Sequence, residues 1–242
     1  MKQKILIYGG GSYISEEIIK LYEKDDYNFI IFCRNRLNFE KFLEKNELDL
    51  NKFQINETHL QNLEHNLEIV EKIKDELTGI IWVAGITGDP DEEYNDPKKC
   101  KENLTINFLN PIIIMNELSK KLIKSKKSFI VIFSSVAGIR GRAKRLYYAS
   151  SKSALISYAS GLRQKFNSIG IKVITIIPGY MKTKPFNVKA PSFLITEPKY
   201  VANIVYDAIK KNRTTVYINS FWKFIMFFIK IIPEKIYKKL NF

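Results

Sequence analysis

Apolar residues along the chain fall into two alternating patterns. Short, mostly apolar runs lie at Ile5–Tyr8, Phe29–Cys33, Lys52–Ile55, Ile80–Ala84, Phe129–Ser134, Val173–Ile177 and Thr215–Ile218. Runs of this length and composition predict strands, buried on both faces where they are continuous. Between them, apolar positions recur every three or four residues over Ile14–Tyr22, Leu63–Leu77, Asn103–Ile123, Tyr147–Phe166 and Tyr200–Ile209, which predicts helices. Gly170 stands just past one such stretch, where a left-handed helix-ending residue is wanted. Strand and helix alternating about six times predict right-handed crossovers and a single-domain, doubly wound parallel sheet of the α/β class. No repeat or linker interrupts the pattern. It divides the chain into a domain over residues 1–219 and an apolar, basic arm over residues 220–242.

In a sheet of this kind, ligands bind beyond the carboxyl ends of the strands. After the first strand comes Gly9-Gly10-Gly11-Ser12-Tyr13-Ile14-Ser15, leading into a helix. Gly9 and Gly11 permit a tight turn, and the backbone N–H groups of Ser12, Tyr13 and Ile14 could meet a pyrophosphate at the helix N-terminus. After the second strand comes Arg34, where a free ribose 2′-OH would call for an acid. An arginine there suits a 2′-phosphate and favours NADP(H) over NAD(H). After the fifth strand comes Ser134-Ser135, and then Tyr148 and Lys152, four apart on one helix face. A lysine ammonium beside a phenol should lower the Tyr148 pKa. That would give a general acid for a carbonyl oxygen, with the Ser135 hydroxyl placed to hold the same oxygen.

With these motifs in place, the chain resembles the short-chain dehydrogenase/reductase family in its single-domain form, over roughly residues 4–218. The family's Ser, Tyr and Lys match Ser135, Tyr148 and Lys152, and its catalytic Asn matches Asn107 in Ile106-Asn107-Phe108. Its Asn-Ala-Gly matches Val83-Ala84-Gly85, with Val where Asn is usual, and its Pro-Gly-x-x-x-Thr matches Pro178 to Thr183. The resemblance implies a Rossmann-type fold with Asn107, Ser135, Tyr148 and Lys152 as the catalytic set. It also implies cofactor contacts at Ile55, Ala84, Gly85, Tyr148, Lys152, Pro178, Gly179, Met181 and Thr183, and a homodimer or homotetramer. In the first turn, Tyr13 and Ser15 stand where the family has its second and third glycines. Ser135 to Arg142 and the C-terminal segment further resemble the subgroup of decaprenylphosphoryl-2-keto-ribose reductases. That subgroup reduces a keto sugar carried on a polyprenyl phosphate.

Charge changes the picture more than composition does. Residues 1–117 carry 14 Lys and Arg against 22 Asp and Glu, while residues 118–242 carry 25 against 3. The basic half is either a solvated face or the seat of an anionic partner. No nucleic-acid motif accompanies the charge, so nucleic acid is not expected. Cys33, Cys100, His59 and His65 have no metal-ligand spacing, and a chain of 242 residues needs neither metal nor disulfide to build a core. No secretory signal is visible near the N-terminus, so a cytoplasmic location is the expectation. The segment Phe221-Trp222-Lys223-Phe224-Ile225-Met226-Phe227-Phe228-Ile229-Lys230-Ile231-Ile232 is too short to span a bilayer, and Pro233 ends it. Aromatic residues with Lys223, Lys230, Lys235, Lys238 and Lys239 fit an anionic membrane surface met through residues 221–240. Docking on the chain's own core or on a sister subunit is the competing expectation. The substrate expected is a small-molecule or lipid-linked ketone, with an acyl ketone, or a non-catalytic membrane-associated scaffold, as alternatives.

Overall fold

The computed structural model describes residues 3–182 and 190–240. Nine strands are assigned: β1 (Lys4–Tyr8), β2 (Asn28–Cys33), β3 (Phe53–Glu57), β4 (Gly79–Trp82), β5 (Phe129–Phe133), β6 (Lys172–Pro178), β7 (Tyr180–Met181), β8 (Ile195–Thr196) and β9 (Thr215–Ile218). Seven of them form one parallel sheet in the order β3-β2-β1-β4-β5-β6-β9, and β7 pairs with β8 apart from it. The order reverses at β1, which pairs with β2 on one side and β4 on the other. That crevice is where an open α/β sheet receives a ligand.

Helices α1 (Tyr13–Glu23), α2 (Arg36–Lys45) and α8 (Pro198–Lys210) pack on one face of the sheet. Helices α3 (Leu63–Lys72), α6 (Asn110–Ser119) and α7 (Leu146–Phe166) pack on the other. In β1, Ile5 and Ile7 enter the first core while Leu6 and Tyr8 enter the second. This two-sided burial explains why the strands read as continuous apolar runs. Each fully buried Ile or Leu stabilises the fold by roughly 1.5–3 kcal/mol. Gly170 closes the end of α7 at φ +79°, as its position predicts, and its N–H bonds to the Phe166 carbonyl at 3.1 Å.

The structure departs from the sequence pattern in four helical places. The stretch expected as one helix over Asn103–Ile123 is divided. Helix α5 (Pro97–Leu104) runs into a π-helical turn at Thr105–Leu109 and only then into α6. Pro111 has no N–H to return to residue 107, and the Asn110 N–H reaches back five residues to Thr105. Helix α3 stops at Lys72 rather than Leu77, because Leu77 already leads into β4 and forms a parallel bridge with Leu122, ahead of β5. Helix α2 and the short α4 (Pro90–Asn95) are weakly apolar, and periodicity missed them.

The arm forms α9 (Phe221–Ile231) and α10 (Glu234–Tyr237). One face of α9 docks on the domain: Trp222 and Met226 are buried against Val136 and Ile177. A Cβ on Gly179 would overlap the Trp222 indole, whose Nε1 donates to the Leu194 carbonyl at 3.2 Å. Arg140 grips the other end, its guanidinium donating to the carbonyls of Ile229 and Ile232, both at 2.6 Å, and to Glu234 at 2.8 Å. The same guanidinium lies 3.6 Å from the centre of the Tyr237 ring. No helix among the described residues is long and apolar enough to cross a membrane.

Candidate active site

A cleft of about 420 Å³ opens at the switch point. Gly9, Gly11, Ser12, Arg34, Ala84 and Gly85 line it, all of them candidates from sequence. Gly9 takes φ +96°, and a Cβ there would come 2.8 Å from the Ala84 nitrogen, so this turn requires glycine. Ser12 caps α1, its Oγ accepting from the Ser15 N–H at 3.1 Å. Ser15 is fully buried and donates to the Gly9 carbonyl at 2.8 Å, so a serine braces the turn where the family has glycine. Tyr13 is 40% exposed and does not border the cleft, so its bulk leaves the turn open. Ile14 sends its side chain into the core and can offer a ligand only its backbone.

Ile55 stands off the cleft wall. It lies in mid-β3 and packs against the first core, and the cleft wall is formed instead by Thr58, His59 and Leu60 beyond the strand. The strand runs two residues further than its apolar pattern, which shifts the wall along the chain. Pro178, Gly179 and Met181 stand beside α9 and β8, off the cleft wall. Thr183 lies outside the described residues.

Arg34 is exposed at the cleft rim and has no carboxylate partner among the described residues. A residue that the sequence did not flag sits close by. Glu57, at the end of β3, accepts from the Arg36 N–H at 2.8 Å, where α2 begins. An acid therefore does reach the turn after β2, but from the neighbouring strand, where no spacing along the sequence could reveal it.

Gly85 joins the cleft to the second cluster. A Cβ there would lie 2.7 Å from Asn107 Oδ1 and 3.2 Å from Lys152 Nζ. Asn107 is buried in the π turn, where its Oδ1 accepts from the Ile86 N–H and its Nδ2 donates to the Ile86 carbonyl, both at 2.9 Å. Its Nδ2 also donates to Asn103 Oδ1 at 2.8 Å, and Asn103 in turn donates to the buried carboxylate of Glu93. Gly88 must be glycine here, because a Cβ would strike that carboxylate. Asn103 and Glu93, which the sequence reading passed over, extend this chain of hydrogen bonds behind Asn107.

Ser135, Tyr148 and Lys152 come together across the gap between β5 and α7. Ser134 Oγ donates to the Lys152 carbonyl at 2.7 Å, and a Cβ on Gly138 would press on the same backbone at 2.7 Å. These contacts fix α7 against the end of β5. Lys152 is 4% exposed, and its Nζ donates to the Phe133 carbonyl at 3.2 Å. The same Nζ lies 5.7 Å from the centre of the Tyr148 ring. Tyr147 turns away into a separate hollow with Cys100 and Leu104.

The expected electrostatics are corrected here. Burial pushes the Tyr148 phenol up, while hydrogen bonding to Ser135 and the charge of Arg145 pull it down less strongly. Lys152 is not among the groups that lower it. Burial brings the Lys152 amine itself down from its ordinary 10.5 to about 8, so it is a weaker cation than the spacing implied. Glycines that leave room, a capped helix N-terminus and a rim arginine together fit a phosphate-bearing dinucleotide.

A short chain dehydrogenase family model matches residues 3–191. The chain belongs to the short-chain dehydrogenase family. Among curated relatives of this short-chain dehydrogenase, an uncharacterized oxidoreductase of Mycobacterium tuberculosis is 23% identical over 160 residues, covering 66% of this chain and 64% of the relative. The 3-oxoacyl-(acyl-carrier-protein) reductase FabG of Rickettsia conorii is 29% identical over 184 residues, covering 74% and 72%. A solved short chain dehydrogenase from Burkholderia cenocepacia, in complex with NADP, has the same fold at TM-score 0.82 and 17% identity, covering 100% of this chain and 98% of that one.

Proposed function

We propose that this short-chain dehydrogenase reduces a ketone with NADPH, the ketone being borne on an amphipathic, phosphate-carrying molecule such as a lipid- or nucleotide-linked keto sugar. The observation that carries the reading is the approach of Asn107 and Lys152 to Gly85, at the inner end of the cleft, with Tyr148 beside Lys152 and hydrogen-bonded to Ser135. Gly9, Gly11, Ser12 and Arg34 would hold the cofactor's phosphates, Ala84 and Gly85 its inner portion, and Lys152 its ribose. When bound, the nicotinamide supplies the hydride. Tyr148 donates its phenolic proton to the carbonyl oxygen, and Ser135 Oγ holds that oxygen. Asn107, kept in place by Ile86, Asn103 and Glu93, anchors the relay that returns a proton. A phenol held above its ordinary pKa is fully protonated near neutral pH, which suits the reducing direction.

Arg142, Lys144 and Arg145, on the segment entering α7, have no carboxylate partner among the described residues, which supports a phosphate on the substrate. Lipid-carried substrates are presented at a membrane face, where a peripheral cytoplasmic enzyme would meet them. An acyl ketone is the second reading, favoured by the name of the Rickettsia relative. The apolar hollow of about 520 Å³ beside α5, with Tyr94 and Leu109 exposed on it, supports a homodimer or homotetramer. The test is NADPH oxidation with a panel of ketones. Tyr148→Phe should lower the rate by roughly 10²–10⁴-fold, the worth of a general acid, while cofactor still binds. Tyr147→Phe should keep the rate, and the opposite result would overturn the assignment.

A further inference from the structure

We propose that the outward face of α9 docks on an anionic lipid surface. With 100° between successive residues, α9 has two apolar arcs. Trp222, Ile225, Met226 and Ile229 form the arc packed on the domain. Phe221, Phe224, Phe227, Phe228 and Ile231 form the opposite arc, each 57–64% exposed. The Phe193 ring, 5.6 Å from that of Phe221, extends the patch beyond the helix. Lys223 and Lys230 lie along one border between the two arcs, and Lys235, Lys238 and Lys239 follow in and after α10, all exposed.

Charge selects the partner. The three acids of residues 118–242 are already engaged: Glu197 with Lys182, Asp207 with Lys211 and Glu234 with Arg140. The five lysines therefore have no carboxylate partner among the described residues. A two-fold contact between copies through this face would set one basic cluster against the other, which is repulsive. Lipid headgroup phosphates would neutralise it, while the phenylalanines enter the acyl boundary. Eleven residues of helix span about 16 Å, so α9 lies in the interface rather than across the bilayer. Docking stands apart from the reductase reading. What rests on that reading is its consequence: Trp222 against Gly179, and Arg140 bonded to the end of α9, would hold the site beside a membrane-borne ketone.

The test uses the full chain with vesicles of phosphatidylcholine, alone or mixed with phosphatidylglycerol. The wild type should sediment with the mixed vesicles and be released as salt rises. Phe224→Ser with Phe228→Ser, and separately Lys223→Glu with Lys230→Glu, should each weaken sedimentation at least about tenfold. Both variants should keep the melting temperature, the mass by light scattering and the rate on a small water-soluble ketone. A wild type that stays in the supernatant overturns the proposal. So does a change of oligomer mass in the serine variant, which would make the face a contact between copies. Sedimentation without any ketone reduction would leave docking standing and remove the reductase reading.

Discussion

The catalytic corner and the C-terminal arm use their side chains in opposite ways. Around Gly85, the amides of Asn107 and Asn103 and the amine of Lys152 are bonded to other parts of the same chain. On α9, the inward arc and the helix end are packed on the domain, while the outward phenylalanines and the lysines stay exposed, Phe221 meeting only the exposed ring of Phe193. A side chain satisfied at home holds the fold together. One that is not satisfied at home points to a partner elsewhere. Mutations should therefore separate the two kinds, by stability for the first and by binding for the second.

The largest effect is expected inside the arm itself. Trp222→Ala should cost about 3–5 kcal/mol of unfolding free energy, since it empties the hollow over Gly179. Phe224→Ser, two residues on and on the outer face, should change stability by less than about 0.5 kcal/mol. Urea titrations of both decide it, and equal losses would erase the contrast. A middle effect concerns Lys152. Its amine titrates near 8 when folded and at its ordinary 10.5 when unfolded, so between these values the unfolded chain holds more protons and stability rises with pH. Without cofactor, Lys152→Met should be more stable than wild type below pH 8, by about 3 kcal/mol, and the advantage should shrink as pH climbs to about 10.5. A difference that is flat across that window would show that burial does not depress the amine. The smallest effect is at Arg34, a cation with no partner at home, like the arm's lysines. Arg34→Ala should leave the melting temperature unchanged and narrow the preference for NADPH over NADH by about tenfold, or 1.4 kcal/mol. Equal affinities of the wild type for the two cofactors, in calorimetric titration at fixed salt, would remove Arg34 from that role.

The sheet was legible because its strands are buried on both faces and their apolar runs need no context. The Ser135, Tyr148 and Lys152 grouping was legible because one strand end and one helix face carry it. What escaped depends on chain crossings. Glu57 reaches the turn after β2 from a neighbouring strand, Glu93 meets Asn103 across two helices, and Trp222 fills a space above Gly179. The direction of the Tyr148 shift escaped for a similar reason, since spacing shows a lysine nearby but not how deeply both groups are buried.

The π turn at Thr105–Leu109 makes the chain sensitive to length rather than to composition at that point. It holds one residue more than an α-helical turn would use. Deleting one of the five would let the helix close to ordinary geometry with its two ends still in register, and the turn that presents Asn107 would be lost. Asn107 would leave the Ile86 backbone, although every other side chain of the site kept its identity. A three-base deletion there is therefore equivalent to losing the asparagine itself.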